Sequence, residues 1–270
     1  MSNSTGPLAG KTVVITRPSH QCREMAEIVE TMGGTAYVAP MIEITAPEGG
    51  ELMEFIEKTA SGCFDRLVFL SVNSVRCIFE EAQQNGKLDQ LLKGINASGV
   101  LVIGTRTQQE LVGHGVTDNV VARIQSTDGV LEAIGGELKG LHIGIPRSSM
   151  ANHELGDALR ERGAQVTEVT AYISRPPADR SRAIELINDL NAGRVDAVTF
   201  TSASTAKNLA KIAEEENMLG QLHEGLGRTV VAAIGPRAKG AIEELGFKVN
   251  IVPENHSIRD LVDALGSNLK

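Results

Sequence analysis

Ala197-Val198-Thr199-Phe200-Thr201-Ser202-Ala203-Ser204 is an apolar, β-branched run that ends in small hydroxyl residues, and a helical pattern (Thr205-Ala206-Lys207-Asn208-Leu209-Ala210) starts at once. That order predicts a buried strand feeding the capped start of a helix, with hydroxyls and free backbone N–H groups at the strand's carboxyl end. Open α/β sheets hold ligands at that end. The same design occurs earlier as Leu67-Val68-Phe69-Leu70-Ser71-Val72-Asn73-Ser74. Ser71, Ser74, Ser202 and Ser204 are therefore candidate contacts, and each is equally suited to plain N-capping. The two roles are compatible, because a cap leaves other N–H groups of the first turn free.

Upstream, Lys11-Thr12-Val13-Val14-Ile15-Thr16 reads as a first strand, preceded by a loose tail over Met1 to Gly10. The loop Arg17-Pro18-Ser19-His20 leads into a helix with Met25, Ile28, Val29 and Met32 at i, i+3, i+4 and i+7, ended by Gly33-Gly34. Thr35 to Val38 and Met41 to Ile44 read as extended, interrupted by Pro40. Val100 to Ile103 is a further strand, ending at Gly104-Thr105-Arg106-Thr107. Downstream, Val230 to Ile234 and Val249 to Val252 are apolar runs, and Ser257 opens a closing helix with Ile258, Leu261, Val262 and Leu265 inward. Strand and helix in alternation predict doubly wound parallel sheet, covered on both faces.

The series is written twice. Leu141-His142-Ile143-Gly144-Ile145-Pro146-Arg147 parallels Thr12 to Arg17, and Gly163 ends a helix as Gly33 does, at a shift of 130 positions. At a shift of 131, Asp65 matches Asp196, Ser71 matches Ser202, Ile103-Gly104-Thr105-Arg106 matches Ile234-Gly235-Pro236-Arg237, and Gly115 matches Gly246. A register held this long reads as duplication of one βαβαβα unit. The length, 270 residues, also suits two domains. Either each half folds by itself, or the halves exchange their first βα pieces through the extended stretches Met41-Ile42-Glu43-Ile44 and Ala171-Tyr172-Ile173-Ser174. The residues permit both arrangements.

Composition excludes several functions. Apolar residues make up 41% and charged residues 22%, as expected of a protein with a packed core, and no apolar run approaches the roughly 20 residues that span a bilayer. The start has no basic-then-apolar order, so no signal peptide is expected, and the cytoplasm is the expected compartment. Cys22, Cys63 and Cys77 are unevenly spaced without a CxxC, and the six histidines form no HxxxH or HExxH pair, so neither disulfides nor a metal site is expected. A net charge of −8, no Trp and 3% aromatics disfavour nucleic acid. A polyanionic substrate would need local cations or helix N-termini set against that field.

No GxGxxG, Walker or GxSxG motif follows any strand, which removes the dinucleotide, P-loop and serine-hydrolase readings. Arg17, in the loop after the first strand, stands where a doubly wound domain binds ligand, and Arg147 is its counterpart. Arg237 follows Gly235-Pro236 at a helix start, where the helix dipole slightly disfavours a cation and an anionic ligand would explain one. Tyr172, one of two tyrosines, lies on the second extended stretch. If it faces a cleft, its phenol is a neutral proton donor at pH 7.

In order and spacing, VVITRP, FDRLVFLSVNSV with VDAVTFTSASTA, VIGTRT with AIGPRA, GAQVTEVTAYISRP and the closing apolar helix resemble the uroporphyrinogen-III synthase family, from Lys11 onward. The resemblance implies two Rossmann/flavodoxin-like α/β domains with the exchanged arrangement: residues 1–39 with 175–270, residues 43–170, and connector strands at 40–42 and 171–174. It implies a monomer acting in an interdomain cleft on hydroxymethylbilane, a linear tetrapyrrole with eight carboxylates. The hydroxyl is eliminated, the last pyrrole is inverted through a spiro intermediate, and the macrocycle closes as the III isomer without cofactor or metal. The family's connector tyrosine, which helps the hydroxyl leave, falls on Tyr172; its strand-end hydroxyls fall on Ser202 and Ser204, and its first-loop arginine on Arg17. Where the family usually carries two threonines after Ile-Gly-Pro, this chain has Arg237 and Ala238, so a hydroxyl contact there is lost or replaced by a charged one. The competing class is a non-catalytic ligand-binding or regulatory module on the same scaffold, and a weaker third is a two-domain sugar-type binding protein.

Overall fold

A computed structural model describes residues 5–124 and 126–269. The chain divides into two compact units, Met1–Glu43 with Arg175–Lys270, and Ile44–Ser174. The first unit begins with β1 (Thr12–Ile15), α1 (Cys22–Thr31) and β2 (Thr35–Val38). The chain then runs through β3 (Glu43–Thr45), α2 (Glu51–Ala60), β4 (Arg66–Phe69), α3 (Val72–Gln84), α4 (Leu88–Ala97) and β5 (Gly99–Ile103). It continues with α5 (Thr105–Gly113), β6 (Val120–Ala122), α6 (Thr127–Ile134), β7 (His142–Ser148), α7 (Glu154–Glu161) and β8 (Gln165–Arg175). The first unit is completed by α8 (Ser181–Asn191), β9 (Ala197–Phe200), α9 (Ala203–Glu215), α10 (Leu219–Arg228), β10 (Val230–Ala233), α11 (Pro236–Glu244) and α12 (Ile258–Asn268).

In the first unit the sheet order is β10-β9-β1-β2, all parallel. Successive strand residues point to opposite faces, and both faces are buried. Val14, Val198, Phe200 and Val231 pack with α8 to α11, while Val13, Ile15, Ala197 and Ala232 pack with α1 and α12. That double burial is why the strands read as continuous apolar runs. The second unit repeats the plan in a sheet ordered β3-β8-β7-β4-β5-β6. Leu67, Phe69, Val100 and Val102 face α2 to α5, and Val68, Leu101, Ile143 and Ile145 face α6 and α7.

The strand registers correspond. Val13 pairs with Ala197 and Ile143 with Arg66, while Ala197 pairs with Val230 and Arg66 with Gly99. Each such pair maps onto its counterpart at shifts of 130 and 131 positions. The joint is fastened identically: Thr12 N–H donates to Asp196 Oδ2 and His142 N–H to Asp65 Oδ2, both at 2.8 Å. Close helix packing is also shared. A Cβ on Gly94 of α4 would lie 2.0 Å from the Thr59 carbonyl oxygen, and one on Gly225 of α10 would lie 2.7 Å from Leu190 Cβ.

Two expectations need correction. Residues 5–10 are docked, not loose: Leu8 is fully buried beside α1 and α12, and its N–H donates to the Met32 carbonyl at 3.0 Å. The first connector strand is Glu43–Thr45, beyond residues 40–42, because Met41 N–H is already committed to the Thr16 carbonyl at 3.0 Å. The apolar run Val249 to Val252 supplies an isolated parallel bridge, Ile251 to Ala232, and the Asn250 side chain takes the Val231 N–H at 2.9 Å in place of a backbone partner.

Candidate functional site

In the second unit, β4 ends at Phe69 and Ser71 immediately precedes α3, where its extended backbone (φ −157°, ψ 154°) turns its hydroxyl onto the new helix. Ser71 Oγ accepts the Ser74 N–H at 3.1 Å, so it is the N-cap. Ser74 is fully buried, and its hydroxyl donates back to the Ser71 carbonyl at 2.7 Å. It therefore shapes the turn instead of facing solvent. The Ser71 hydroxyl also lies 3.3 Å from Tyr172 Oη on β8, donating to it. Tyr172 sits at a bulge: the β7–β8 register slips between Arg147 and Ser148, bringing Ser148 opposite Tyr172. Tyr172 is half-buried against the core beneath α2 to α5.

The first unit builds the same corner. Ser202 caps α9 by accepting the Thr205 N–H at 3.3 Å, and the buried Thr205 hydroxyl donates to the Ser202 carbonyl at 2.7 Å. Thr205, 131 positions beyond Ser74, is the equivalent buried hydroxyl, and the repeat could have singled it out. Ser204 is exposed on the first turn, beside N–H groups with no acceptor inside the helix. Gly235 caps α11 in an extended conformation and passes under the His256 ring, where a Cβ would come within 3.2 Å. Arg237 is exposed beside it. Arg17 is buried, with Nη2 donating to Gln21 Oε1 at 2.9 Å, and is not the solvated loop residue of a plain turn.

Arg147 is committed. Its Nε lies 3.2 Å from Glu168 Oε1, and Glu168 Oε2 also receives His153 at 3.0 Å and Arg160 at 3.1 Å. Burial pushes the Glu168 carboxyl up, but the His153 and Arg160 hydrogen bonds and the Arg147 charge outweigh it and hold the group below the usual carboxylate range. Beside this cluster a pocket of about 130 Å³ opens at the carboxyl ends of β4, β5 and β7, between Leu70, Ile103, Ile145 and the start of α6 at Ser126. Glu168 lies inside the stretch GAQVTEVTAYISRP, yet nothing local in the sequence singles it out. Its signal, a carboxylate opposite Ile145 and so just short of the level of Arg147 on the paired strand, exists only once the register is known. Among the described residues, no three His, Cys, Asp or Glu side chains converge as a metal site, and no helix is long and apolar enough to cross a membrane.

Parallel sheets wound on both faces, with helix starts capped by Ser71 and Ser202 beyond the carboxyl ends of β4 and β9, define a two-unit α/β protein. The family model described as uroporphyrinogen-III synthase HemD matches residues 23–263. A relative from Methanothermobacter thermautotrophicus is 34% identical over 259 residues, covering 95% of this chain and 98% of its own. The uroporphyrinogen-III synthase of Chlorobaculum parvum is 28% identical over 263 residues, covering 96% and 100%. Among solved structures, a mutant uroporphyrinogen III synthase from the extremely thermophilic bacterium Thermus thermophilus shares the fold with a TM-score of 0.62, at 21% identity over 96% of this chain and 99% of that one. The chain belongs to the uroporphyrinogen-III synthase family, lyases of tetrapyrrole biosynthesis.

Proposed function

We propose that this chain cyclises hydroxymethylbilane to uroporphyrinogen III, and that Tyr172 donates the proton on which the substrate hydroxyl leaves as water. The carrying observation is the Ser71 Oγ to Tyr172 Oη hydrogen bond at the start of α3. With Ser71 donating to the phenol oxygen, the phenol's own proton is free to point at the substrate. As that proton leaves, the growing negative charge on Oη meets the Ser71 hydroxyl and the positive end of α3. The open pyrrole end then closes on the macrocycle after inversion. Much of the enzyme's task is holding a bent geometry, since the free substrate closes by itself to the wrong isomer.

Binding of the carboxylate arms is assigned to the capped helix starts at Ser71 and Ser202, with Ser204, Gly235 and Arg237 of the first unit and Arg17 after β1. Free amides at helix starts bind carboxylates without a large positive field, which suits a chain of net charge −8. Ser74 enters this reading through the shape of its turn, and Arg147 through its ion pair beside the small pocket, not through a free guanidinium. The reading has the chain working as a cytoplasmic monomer without nucleic acid.

The test is to supply hydroxymethylbilane and separate the isomers formed. Isomer III in excess over a protein-free control supports the reading. A product matching that control rejects it in favour of a non-catalytic binding module.

A further inference from the structure

Cys63, His142 and Thr167 form a second constellation, at the amino-terminal edge of the second unit's sheet, opposite to the edge that carries Ser71 and Tyr172. Cys63 is exposed, in the loop between α2 and β4, and its Sγ lies 3.5 Å from His142 Nδ1. The other ring nitrogen, Nε2, lies 2.8 Å from Thr167 Oγ1 on the neighbouring strand. The ring is held from further sides as well. Phe64 packs edge-on against it with centroids 4.8 Å apart, and Asp65 bonds both the N–H and the carbonyl of His142. A nucleophile, a proton acceptor within hydrogen-bond reach and a third group orienting that acceptor is the arrangement of an activated thiol. When Nε2–H donates to Thr167, Nδ1 is left as the acceptor for the thiol proton. Charged groups beside the pair include Asp65 and Lys58, the latter ion-paired to Glu54 at 2.7 Å and within electrostatic reach of the Cys63 sulfur.

The remaining cysteines are built to be inert. Cys22 and Cys77 are buried, and burial pushes both thiols up to about 11, where they stay protonated at neutral pH.

We propose that Cys63 is a selective site of thiol–disulfide exchange, forming mixed disulfides with small-molecule disulfides. The Cys63 proton passes to His142 Nδ1 as Sγ attacks one sulfur of the disulfide. The Cys63 S–S bond forms, the original S–S bond breaks, and the departing thiolate takes the proton from the imidazolium. One disulfide is consumed, and one mixed disulfide and one small thiol are produced.

The experiment treats the folded full-length chain at pH 7 with 5,5′-dithiobis(2-nitrobenzoic acid), with free glutathione in the same buffer as reference. One equivalent of thiolate is released in a fast phase that outpaces glutathione, and mass spectrometry places the adduct on Cys63. Cys63→Ser removes the phase, and His142→Gln slows it about tenfold. Thr167→Val, which leaves the imidazole present but unanchored, slows it by a smaller factor and serves if His142→Gln does not fold. Two or three thiols reacting at one rate in the folded chain, a Cys63 rate no faster than glutathione, or an unchanged rate in the folded histidine or threonine variant overturns the proposal.

Discussion

Ser71 Oγ and Tyr172 Oη lie 3.3 Å apart although 101 positions separate them in the chain. One residue caps the helix that follows a strand, and the other sits beside a bulge on another strand of the same sheet. In the proposed reaction this contact sets the Tyr172 phenol beside the start of α3, where charge growing on Oη as the proton departs is stabilised.

Tyr172→Phe should therefore lower kcat for isomer III formation by about 100- to 1,000-fold, the usual worth of a positioned general acid. KM and the melting temperature should change little, because the ring keeps its packing against the core. Ser71→Ala should cost about tenfold in kcat and, through loss of the cap, about 1 kcal/mol of stability. Steady-state rates with isomer separation, alongside thermal melts, check both. A Tyr172→Phe variant with unaltered turnover removes the tyrosine from the chemistry.

The two glycine contacts give a stability prediction of unequal size. Gly94→Ala places a methyl 2.0 Å from a backbone carbonyl oxygen, whereas Gly225→Ala meets Leu190 Cβ at 2.7 Å. Alanine's better helix propensity returns at most about 1 kcal/mol, which does not offset overpacking against backbone. A loss of about 3 kcal/mol is expected for Gly94→Ala and about 2 kcal/mol for Gly225→Ala. Urea midpoints at constant m measure both.

Asp65→Ala and Asp196→Ala each remove the carboxylate that receives the first N–H of a crossing strand. A charge-assisted bond of this kind is worth about 1.5–3 kcal/mol when shielded. Asp196 is about a third exposed, so about 1 kcal/mol is expected for its loss. Asparagine keeps the acceptor oxygen and should recover most of it. Denaturant titration of the four single variants tests the pattern, and an asparagine as damaging as alanine contradicts it.

What the residues made legible followed from local pattern. Apolar runs two-sided in their burial, hydroxyls at the strand ends and glycines closing helices are all set within a few positions, so the layers and the caps at Ser71 and Ser202 could be read directly. Partnerships set by register could not. Arg147 reads as the counterpart of Arg17, yet the β7–β8 pairing brings Glu168 beside it and commits its guanidinium. Tyr172 reads as a connector residue, and its pairing opposite Ser148 after the register slip, like its contact with Ser71, is set by the sheet and not by local pattern. Ser204 was the conspicuous hydroxyl of its turn, while the buried, bonded one is Thr205.

The Glu168 cluster predicts a pH response with a definite sign. The folded chain holds this carboxyl below its ordinary range, so the unfolded chain binds the proton more readily. The stabilisation is fully present above the ordinary glutamate value of about 4.3, and it is lost as the pH falls through the depressed folded value. Arg147 is well buried, whereas Arg160 and His153 are open to solvent screening, so the whole cluster is worth about 2 kcal/mol. Glu168→Gln should lower stability by about that amount at pH 7, since it leaves Arg147 without its counter-charge. Between pH 5 and pH 3 the wild-type chain should lose more stability than the variant, and the two should converge at the acid end. Urea unfolding at three pH values reads this out. Parallel losses on acidification in both chains would show that Glu168 is not the group being titrated.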